Sequence, residues 1–148
     1  MRVMALDYGD ATVGVAVSDP LFLTAQGIEI IRREKESHLR PTLRRIGELI
    51  TEYQVEAIVL GLPLNMDGSK GPRALKTEKF RDMLKKRFSL PVYMTDERLS
   101  SFEAEEEMRE AGIKPSEFKK HVDRIAAQII LEEWMNTDGT KNNQLCDG

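Results

Sequence analysis

The first part of the chain alternates short apolar runs with turn signals. Apolar runs cover residues 2–6, 13–17 and 25–31, and the pairs Gly9-Asp10 and Asp19-Pro20 separate them. Runs of this length, bounded by glycine, aspartate and proline, are typical of strands joined by tight turns. We therefore predict that the fold opens with three consecutive antiparallel strands.

The pattern then becomes helical. Apolar residues recur at three- and four-residue intervals over residues 37–53, with Ser37 as the predicted N-cap. The continuous apolar run 57–60 that follows is typical of a strand buried on both faces of a sheet. The remaining predicted elements are a helix over residues 72–88, a strand over 91–94, and helices over 100–111 and 115–134.

This order of elements, βββαβαβαα, predicts an α/β fold. It implies a mixed five-stranded sheet, three antiparallel strands followed by two parallel ones, with helices on both faces. The 148 residues have the length of one ordinary domain. We assign residues 1–135 to that domain and expect the polar segment 136–148 to be a disordered tail.

Composition narrows the class of protein. Apolar residues make up 41% and charged residues 32% of the chain, which excludes a disordered or membrane-embedded protein. The first residues run directly into the first predicted strand without a signal-peptide pattern, so we expect a cytoplasmic protein. A single cysteine, Cys146, excludes an internal disulfide and a thiolate-rich metal site.

Charge is unevenly distributed although the net charge is only -3. The segment 70–88 is strongly basic, whereas the segment 96–110 is acidic. Two interpretations of the basic segment remain open: a surface that contacts a phosphate backbone, or a solvated helix face. The basic residues are Lys70, Arg73, Lys76, Lys79, Arg81, Lys85, Lys86 and Arg87.

Carboxylates follow two of the predicted strands. Asp7 ends the first strand, and Asp96 and Glu97 follow the strand at 91–94. The carboxyl ends of strands form the edge at which open α/β sheets usually hold ligands. Asp7 could instead stabilise a turn, and Asp96 or Glu97 could instead complement the dipole of the following helix.

Asp123 is unusual because helical spacing places it on an otherwise apolar stripe. The stripe consists of Asp123, Ala126, Ala127, Ile130 and Trp134. A carboxylate buried without compensation costs several kcal/mol, roughly, so the position favours a functional role. A salt bridge to Arg124 or Arg98, or access to water near the helix end, would also explain it.

One carboxylate ends the first strand, a second follows a later strand, and a third lies on the last helix. Together these three groups would supply hard oxygen ligands. Such ligands suit Mg²⁺ or Mn²⁺ rather than zinc. Two such ions can hydrolyse a phosphodiester without a protein nucleophile. Arg98, beside Glu97, is the natural phosphate contact, although it could equally pair with Asp96.

Five motifs in this order and spacing resemble the YqgF (RuvX, YrrK) family of bacterial proteins. The resemblance spans about residues 2–135. The motifs are Ala5-Leu6-Asp7-Tyr8-Gly9, Gly14-Val15-Ala16-Val17-Ser18, Gly61-Leu62-Pro63-Leu64-Asn65-Met66-Asp67-Gly68, Thr95-Asp96-Glu97-Arg98-Leu99-Ser100 and Asp123-Arg124-Ile125-Ala126-Ala127-Gln128-Ile129-Ile130-Leu131.

The resemblance implies an RNase H-like fold related to the RuvC resolvase. It also implies Asp7, Glu97 and Asp123 as catalytic metal ligands for Mg²⁺ or Mn²⁺, and leaves open whether Asp96 contributes. Arg124 departs from the small residue that many relatives carry after the aspartate. Candidate nucleic-acid contacts are Arg98, Asn65, Lys70, Arg73 and Lys76, of which Asn65 could simply cap its turn.

The favoured function is a metal-dependent nuclease that processes the 5′ end of pre-16S rRNA, an activity described for this family. The alternative is a Holliday junction resolvase acting in DNA recombination. A non-catalytic RNA-binding module and a nucleotide-binding protein like the sugar kinases and actin-like ATPases are also considered. The expected partner is structured nucleic acid and not a membrane, and the protein would act as a monomer or homodimer.

Overall fold

The computed structural model describes residues 2–97 and 100–137, without the side chains of residues 100–104, 119–120, 122–124 and 137. The strands are β1 (Val3–Tyr8), β2 (Thr12–Ser18), β3 (Ala25–Arg32), β4 (Ala57–Leu62) and β5 (Val92–Asp96). The helices are α1 (Leu39–Tyr53), α2 (Pro72–Arg87), α3 (Ser100–Glu110) and α4 (Phe118–Thr137), with a short 3-10 helix, Pro115–Glu117, before α4. This is the predicted order.

The five strands form one sheet in the order β3-β2-β1-β4-β5. β2 pairs antiparallel with both β1 and β3, whereas β4 pairs parallel with both β1 and β5. The predicted mixed sheet is therefore confirmed. β1 lies at its centre, which places the residues at the end of β1 in the middle of the carboxyl edge.

Alternation along the strands divides the core into two layers. In β1, Met4 and Leu6 pack with residues of α1 and α2, whereas Val3 and Ala5 pack with residues of α4. Side chains alternate between the two faces of a strand, so each layer uses every second residue. The prediction of helices on both faces is confirmed.

The apolar stripe of α4 faces the sheet as predicted. Ala126, Ala127, Ile130 and Trp134 are all buried. The two alanines allow the helix backbone to approach the sheet closely. α4 ends at Thr137, two residues beyond the boundary expected at 135; residues 138–148 lie outside the described part, and the disordered tail stays a prediction.

The prediction of Ser37 as the N-cap of α1 is wrong. The N-cap is His38, and its side chain makes no capping hydrogen bond. Ser37 belongs to a preceding turn, in which the His38 N–H donates to the Lys35 carbonyl. The Ser37 carbonyl accepts a hydrogen bond from the Leu39 N–H. No helix in the described part of the chain is long and apolar enough to cross a membrane.

Candidate active site

Asp7 lies on the α4 face of the sheet, near the end of β1. Val3 and Ala5 face α4, so alternation places Asp7 on the same face. Asp7 is opposite Gly14 of β2, and the pairing of Leu6 with Leu60 brings Gly61 of β4 level with it on the other side. Both of these neighbours are glycines, so neither contributes a side chain beside the Asp7 carboxylate.

The Glu97 carboxylate lies directly over Gly61. A Cβ atom added to Gly61 would lie 2.8 Å from Glu97 Oε2 and 2.6 Å from Ile130 Cδ1 of α4. The Glu97 N–H donates to the Leu62 carbonyl at 3.1 Å, which fixes the chain as it leaves β5. Glycine at position 61 is therefore required for this placement of the carboxylate.

Asp7 and Glu97 consequently lie on the same face and at the same edge of the sheet. Neighbouring strands lie about 4.8 Å apart, so Asp7 on β1 is one strand spacing from the position above β4 that Glu97 occupies. Both side chains are half-buried at the carboxyl edge, on the α4 face. Two carboxylates that are distant in the sequence thus lie on neighbouring strand positions of one face.

Asp96 lies on the other face. Val92 and Met94 of β5 pack in the layer with α1 and α2, and Asp96 follows them in alternation. The sequence left open whether Asp96 joins Glu97. In this geometry Glu97, and not Asp96, shares the face of Asp7.

The third predicted ligand lies on α4. Asp123 is seven residues, or about two turns, before Ile130, which places the two on the same side of the helix. The Asp123 side chain and the whole of Arg98 lie outside the described residues. Among the side chains that are described, no group of three or more His, Cys, Asp and Glu could hold a metal ion. The triad therefore stays a prediction, and of its members Asp7 and Glu97 lie on the same face of the sheet.

The residues present fit a small divalent cation. Carboxylate oxygens are the donors that Mg²⁺ and Mn²⁺ favour. Gly14 and Gly61 flank Asp7 without side chains of their own, and the Glu97 carboxylate takes the position above Gly61. Ile130, which is buried, contributes an apolar wall.

Two of the predicted basic contacts lie at the same edge of the sheet. Arg73 near the start of α2 donates to the Tyr8 carbonyl at 3.1 Å and to the Asp10 carboxylate at 2.6 Å. Lys76, one turn later, pairs with Glu36 at 2.6 Å. Its hydrogen bond to Glu36 raises the pKa of Lys76 above its ordinary value. Lys76 therefore stays charged, and both side chains lie beside the turn that follows Asp7.

The other two candidates have local partners. The Asn65 side-chain amide donates to Ser69 Oγ at 2.9 Å, as the turn-capping interpretation predicts. Lys70 forms an ion pair of 2.6 Å with Glu78 of α2. These contacts fix the loop between β4 and α2, and a role in nucleic-acid binding stays a prediction for both residues.

Sequence reasoning missed Arg33, which is only 8% exposed. Its guanidinium carbon lies 4.9 Å from the centre of the Tyr8 ring, and its nitrogens donate to the Gly9 and Glu36 carbonyls. Tyr8 in turn stacks on Phe80 of α2 at 4.2 Å. These contacts stabilise the turn that follows Asp7. No sequence motif predicts the role of Arg33.

Comparison with known proteins identifies the family. The model of the family described as "RuvX: Holliday junction resolvase" matches residues 1–137. The chain belongs to the RuvX family. The family resemblance of the five motifs is thereby confirmed.

RuvX-family relatives match over nearly their whole length. A protein of Agathobacter rectalis is 51% identical over 136 residues, which is 92% of this chain and 95% of the relative. A protein of Desulfitobacterium hafniense is 43% identical over 97% of this chain and 98% of its own. Both carry the name "Putative pre-16S rRNA nuclease".

Solved structures show that this RuvX-family chain has the RNase H-like fold of the resolvases. The fowlpox virus resolvase, solved with Holliday junction DNA, matches with a TM-score of 0.55 at 12% identity and covers 93% of this chain and 98% of its own. Thermus thermophilus RuvC matches with a TM-score of 0.50 at 17% identity, covering 95% and 98%. The predicted fold is confirmed.

Proposed function

We propose that this chain is a metal-dependent nuclease that hydrolyses phosphodiester bonds at the 5′ end of pre-16S rRNA. The observation that supports the proposal is that the Glu97 carboxylate lies over Gly61, on the same face of the sheet as Asp7 and one strand away from it. The names of the relatives from Agathobacter rectalis and Desulfitobacterium hafniense support the substrate.

Asp7, Glu97 and Asp123 would hold the divalent ions, Mg²⁺ or Mn²⁺. When bound, two such ions activate a water molecule and stabilise the leaving oxygen of a phosphodiester. The protein then needs no nucleophile of its own. Its task is to hold the carboxylates in fixed positions, which the Gly61 contact and the hydrogen bond to the Leu62 carbonyl do for Glu97.

The basic residues would offset the repulsion between the carboxylates and a nucleic-acid substrate. A phosphodiester strand is repelled by a pair of carboxylates, so cations must attract it to the same edge. Arg73 and Lys76 lie beside the turn that follows Asp7 and would contact phosphates flanking the cleaved bond. Arg98, Lys70 and Asn65 would add further contacts. The protein would act in the cytoplasm, where ribosomal RNA is processed.

A second candidate is the resolution of Holliday junctions, which the description of the family model favours. Both activities use the same phosphodiester chemistry. They differ in geometry, because cutting two strands of a symmetric junction suits a two-fold dimer, whereas trimming one RNA end requires only a monomer.

The test compares three substrates in Mg²⁺ or Mn²⁺: a fragment carrying the 5′ end of pre-16S rRNA, a four-way DNA junction and an unstructured single strand. We expect preferential cleavage of the RNA end. Asp7→Asn, Glu97→Gln and Asp123→Asn should each lower kcat/KM by about 100-fold or more, as expected when a metal ligand is lost.

Asp96→Asn is the matched control, because Asp96 neighbours Glu97 in sequence but lies on the other face of the sheet. It should cleave like the parent, and thermal melting should show that all variants fold. Inactivation by Asp96→Asn together with full activity of Glu97→Gln would refute the assignment. Preferential cleavage of the junction would favour the resolvase.

A further inference from the structure

Arg33, directly after β3, is a buried cation whose hydrogen-bond partners are backbone carbonyls. Only 8% of the residue is exposed. Its guanidinium donates to the Gly9 and Glu36 carbonyls, and within the described part of the chain its Nη1 atom is buried without a hydrogen bond. A buried donor that is left unpaired lowers stability, so packing alone does not explain an arginine at this position.

Arg33 holds the turn that follows Asp7. Its guanidinium donates to the Gly9 carbonyl, and its backbone N–H donates to the Ala11 carbonyl at 2.9 Å. The Gly9 N–H closes the same turn by donating to the Thr12 carbonyl at 2.7 Å. Glycine is the most permissive residue in its backbone conformation, so these bonds fix a segment that Gly9 by itself leaves free.

The Arg33 side chain lies on the face of the sheet opposite to Asp7. Tyr8 packs in the layer with α1 and α2, whereas Asp7 faces α4. The Arg33 guanidinium carbon is 4.9 Å from the centre of the Tyr8 ring, which also stacks on Phe80 at 4.2 Å. The link between Arg33 and the Asp7 carboxylate therefore runs through the backbone of Tyr8 and Gly9.

A second arginine holds the neighbouring carbonyl. Arg73 donates to the Tyr8 carbonyl at 3.1 Å and to the Asp10 carboxylate at 2.6 Å. Its side chain is 46% exposed, so a phosphate can reach it, whereas Arg33 is enclosed. The two arginines bind consecutive carbonyls after Asp7 but differ in their access to a substrate.

We propose that Arg33 is a positioning residue for Asp7 and sets the affinity of the carboxylate site for divalent ions. Groups that hold metal ligands without touching the ion change metal affinity by about 10- to 100-fold when they are removed. Arg33 acts through the backbone, so we expect the lower end of this range. The inference rests on the proposed nuclease function, since it presupposes that Asp7 is a metal ligand.

Binding of Mn²⁺ alone, without nucleic acid, tests the inference. Electron paramagnetic resonance of free Mn²⁺ gives the Kd of each variant, and thermal melting shows which variants fold. Arg33→Met keeps an unbranched apolar side chain but donates to neither carbonyl, so it should raise the Kd about tenfold. Arg33→Lys keeps one charged donor without the guanidinium fork and should raise the Kd about threefold.

Arg2→Met is the matched control. The Arg2 guanidinium carbon lies 5.4 Å from the centre of the Tyr53 ring, and Arg2 precedes β1 at the end of the strand opposite to Asp7. Arg2→Met therefore removes an arginine stacked on a tyrosine at a distance from the carboxylates. It should leave the Kd for Mn²⁺ unchanged.

Cleavage distinguishes positioning from a general loss of structure. At limiting Mn²⁺, Arg33→Met should cleave the RNA end about tenfold more slowly than the parent. Saturating Mn²⁺ should restore the rate to within about threefold, because metal binding is the weakened step. The salt dependence of RNA binding should stay that of the parent, since the enclosed Arg33 contacts no phosphate.

The possible results separate the two proposals. An unchanged Kd for Mn²⁺ in folded Arg33→Met, or a cleavage defect that Mn²⁺ does not restore, would overturn the role of Arg33 alone. A weakened Kd together with no cleavage by the parent would support the role of Arg33 and refute the nuclease. If Arg33→Met does not fold, a parental Kd in Arg33→Lys overturns the role and a weakened Kd supports it. A parent that binds no Mn²⁺ would overturn both proposals.

Discussion

Replacing Gly61 by alanine perturbs the proposed site with a single methyl group. That methyl would lie 2.6 Å from Ile130 Cδ1, about 1 Å inside the ordinary separation of two carbon atoms. It would also lie 2.8 Å from Glu97 Oε2. Both side chains must therefore move, and the two movements have different consequences.

The clash with Ile130 affects stability. Adding a methyl group to a well-packed core costs about 1 to 3 kcal/mol, and replacing a strand glycine recovers about 0.5 to 1 kcal/mol. We expect Gly61→Ala to lower the free energy of unfolding by about 1 to 2 kcal/mol. Ile130→Val removes the methyl group that clashes. The double variant should therefore lose less free energy of unfolding than the sum of the losses of the two single variants.

The clash with Glu97 affects activity. A carboxylate displaced by about 0.5 to 1 Å should lower kcat/KM by about 10- to 100-fold. This loss should persist in the Gly61→Ala/Ile130→Val variant, because the added methyl still faces Glu97. Stability and activity are thereby separated within one pair of substitutions.

Urea unfolding and single-turnover cleavage of the RNA fragment measure the two effects. Gly47→Ala is the control, because it adds a methyl 3.2 Å from the Phe88 ring, in α1 and away from the site. Gly47→Ala should leave cleavage unchanged. Full activity of Gly61→Ala in a folded protein would refute the reasoning, since Glu97 could not then need its position above β4.

Two further predictions concern charge. Hydrogen bonds from the backbone, the largest from the Thr24 N–H, hold the pKa of Asp19 below its ordinary value of 3.8. The stability that the Asp19 carboxylate contributes is therefore present above pH 3.8, and it is lost as the pH falls through the lower folded-state pKa. Asp19→Asn should therefore lower the urea midpoint at pH 6 more than at pH 3, and an equal loss at both would contradict the linkage. Arg73→Gln should reduce the slope of log affinity for RNA against log salt by about one unit, whereas Lys86→Gln at the far end of α2 should not; identical slopes for the two variants would contradict a phosphate contact at Arg73.

The sequence by itself determined the fold. Short apolar runs bounded by turn signals in the first strands, a continuous apolar run in β4, and periodicity near 3.6 in α1 and α4 reflect which residues must be buried. These are local constraints, and each can be recognised in a short window. The stripe that carries Asp123 was found in this way, and its described apolar members are buried as the spacing predicts. The cap of α1 was misassigned because hydrogen bonds of the preceding turn decide which residue begins the helix.

Only the tertiary structure decided how the site is assembled. Asp96 and Glu97 are adjacent acids in the sequence, and the alternation of β5 together with the space above Gly61 distinguishes them. An isolated glycine in an apolar strand is a signal of close approach, but it does not name the group that approaches. The pairing of Arg73 with Asp10 joins residues 63 positions apart. Contacts of this kind depend on which surfaces the packed sheet and helices bring together. A periodic pattern along the chain carries no information about contacts between residues so far apart in sequence.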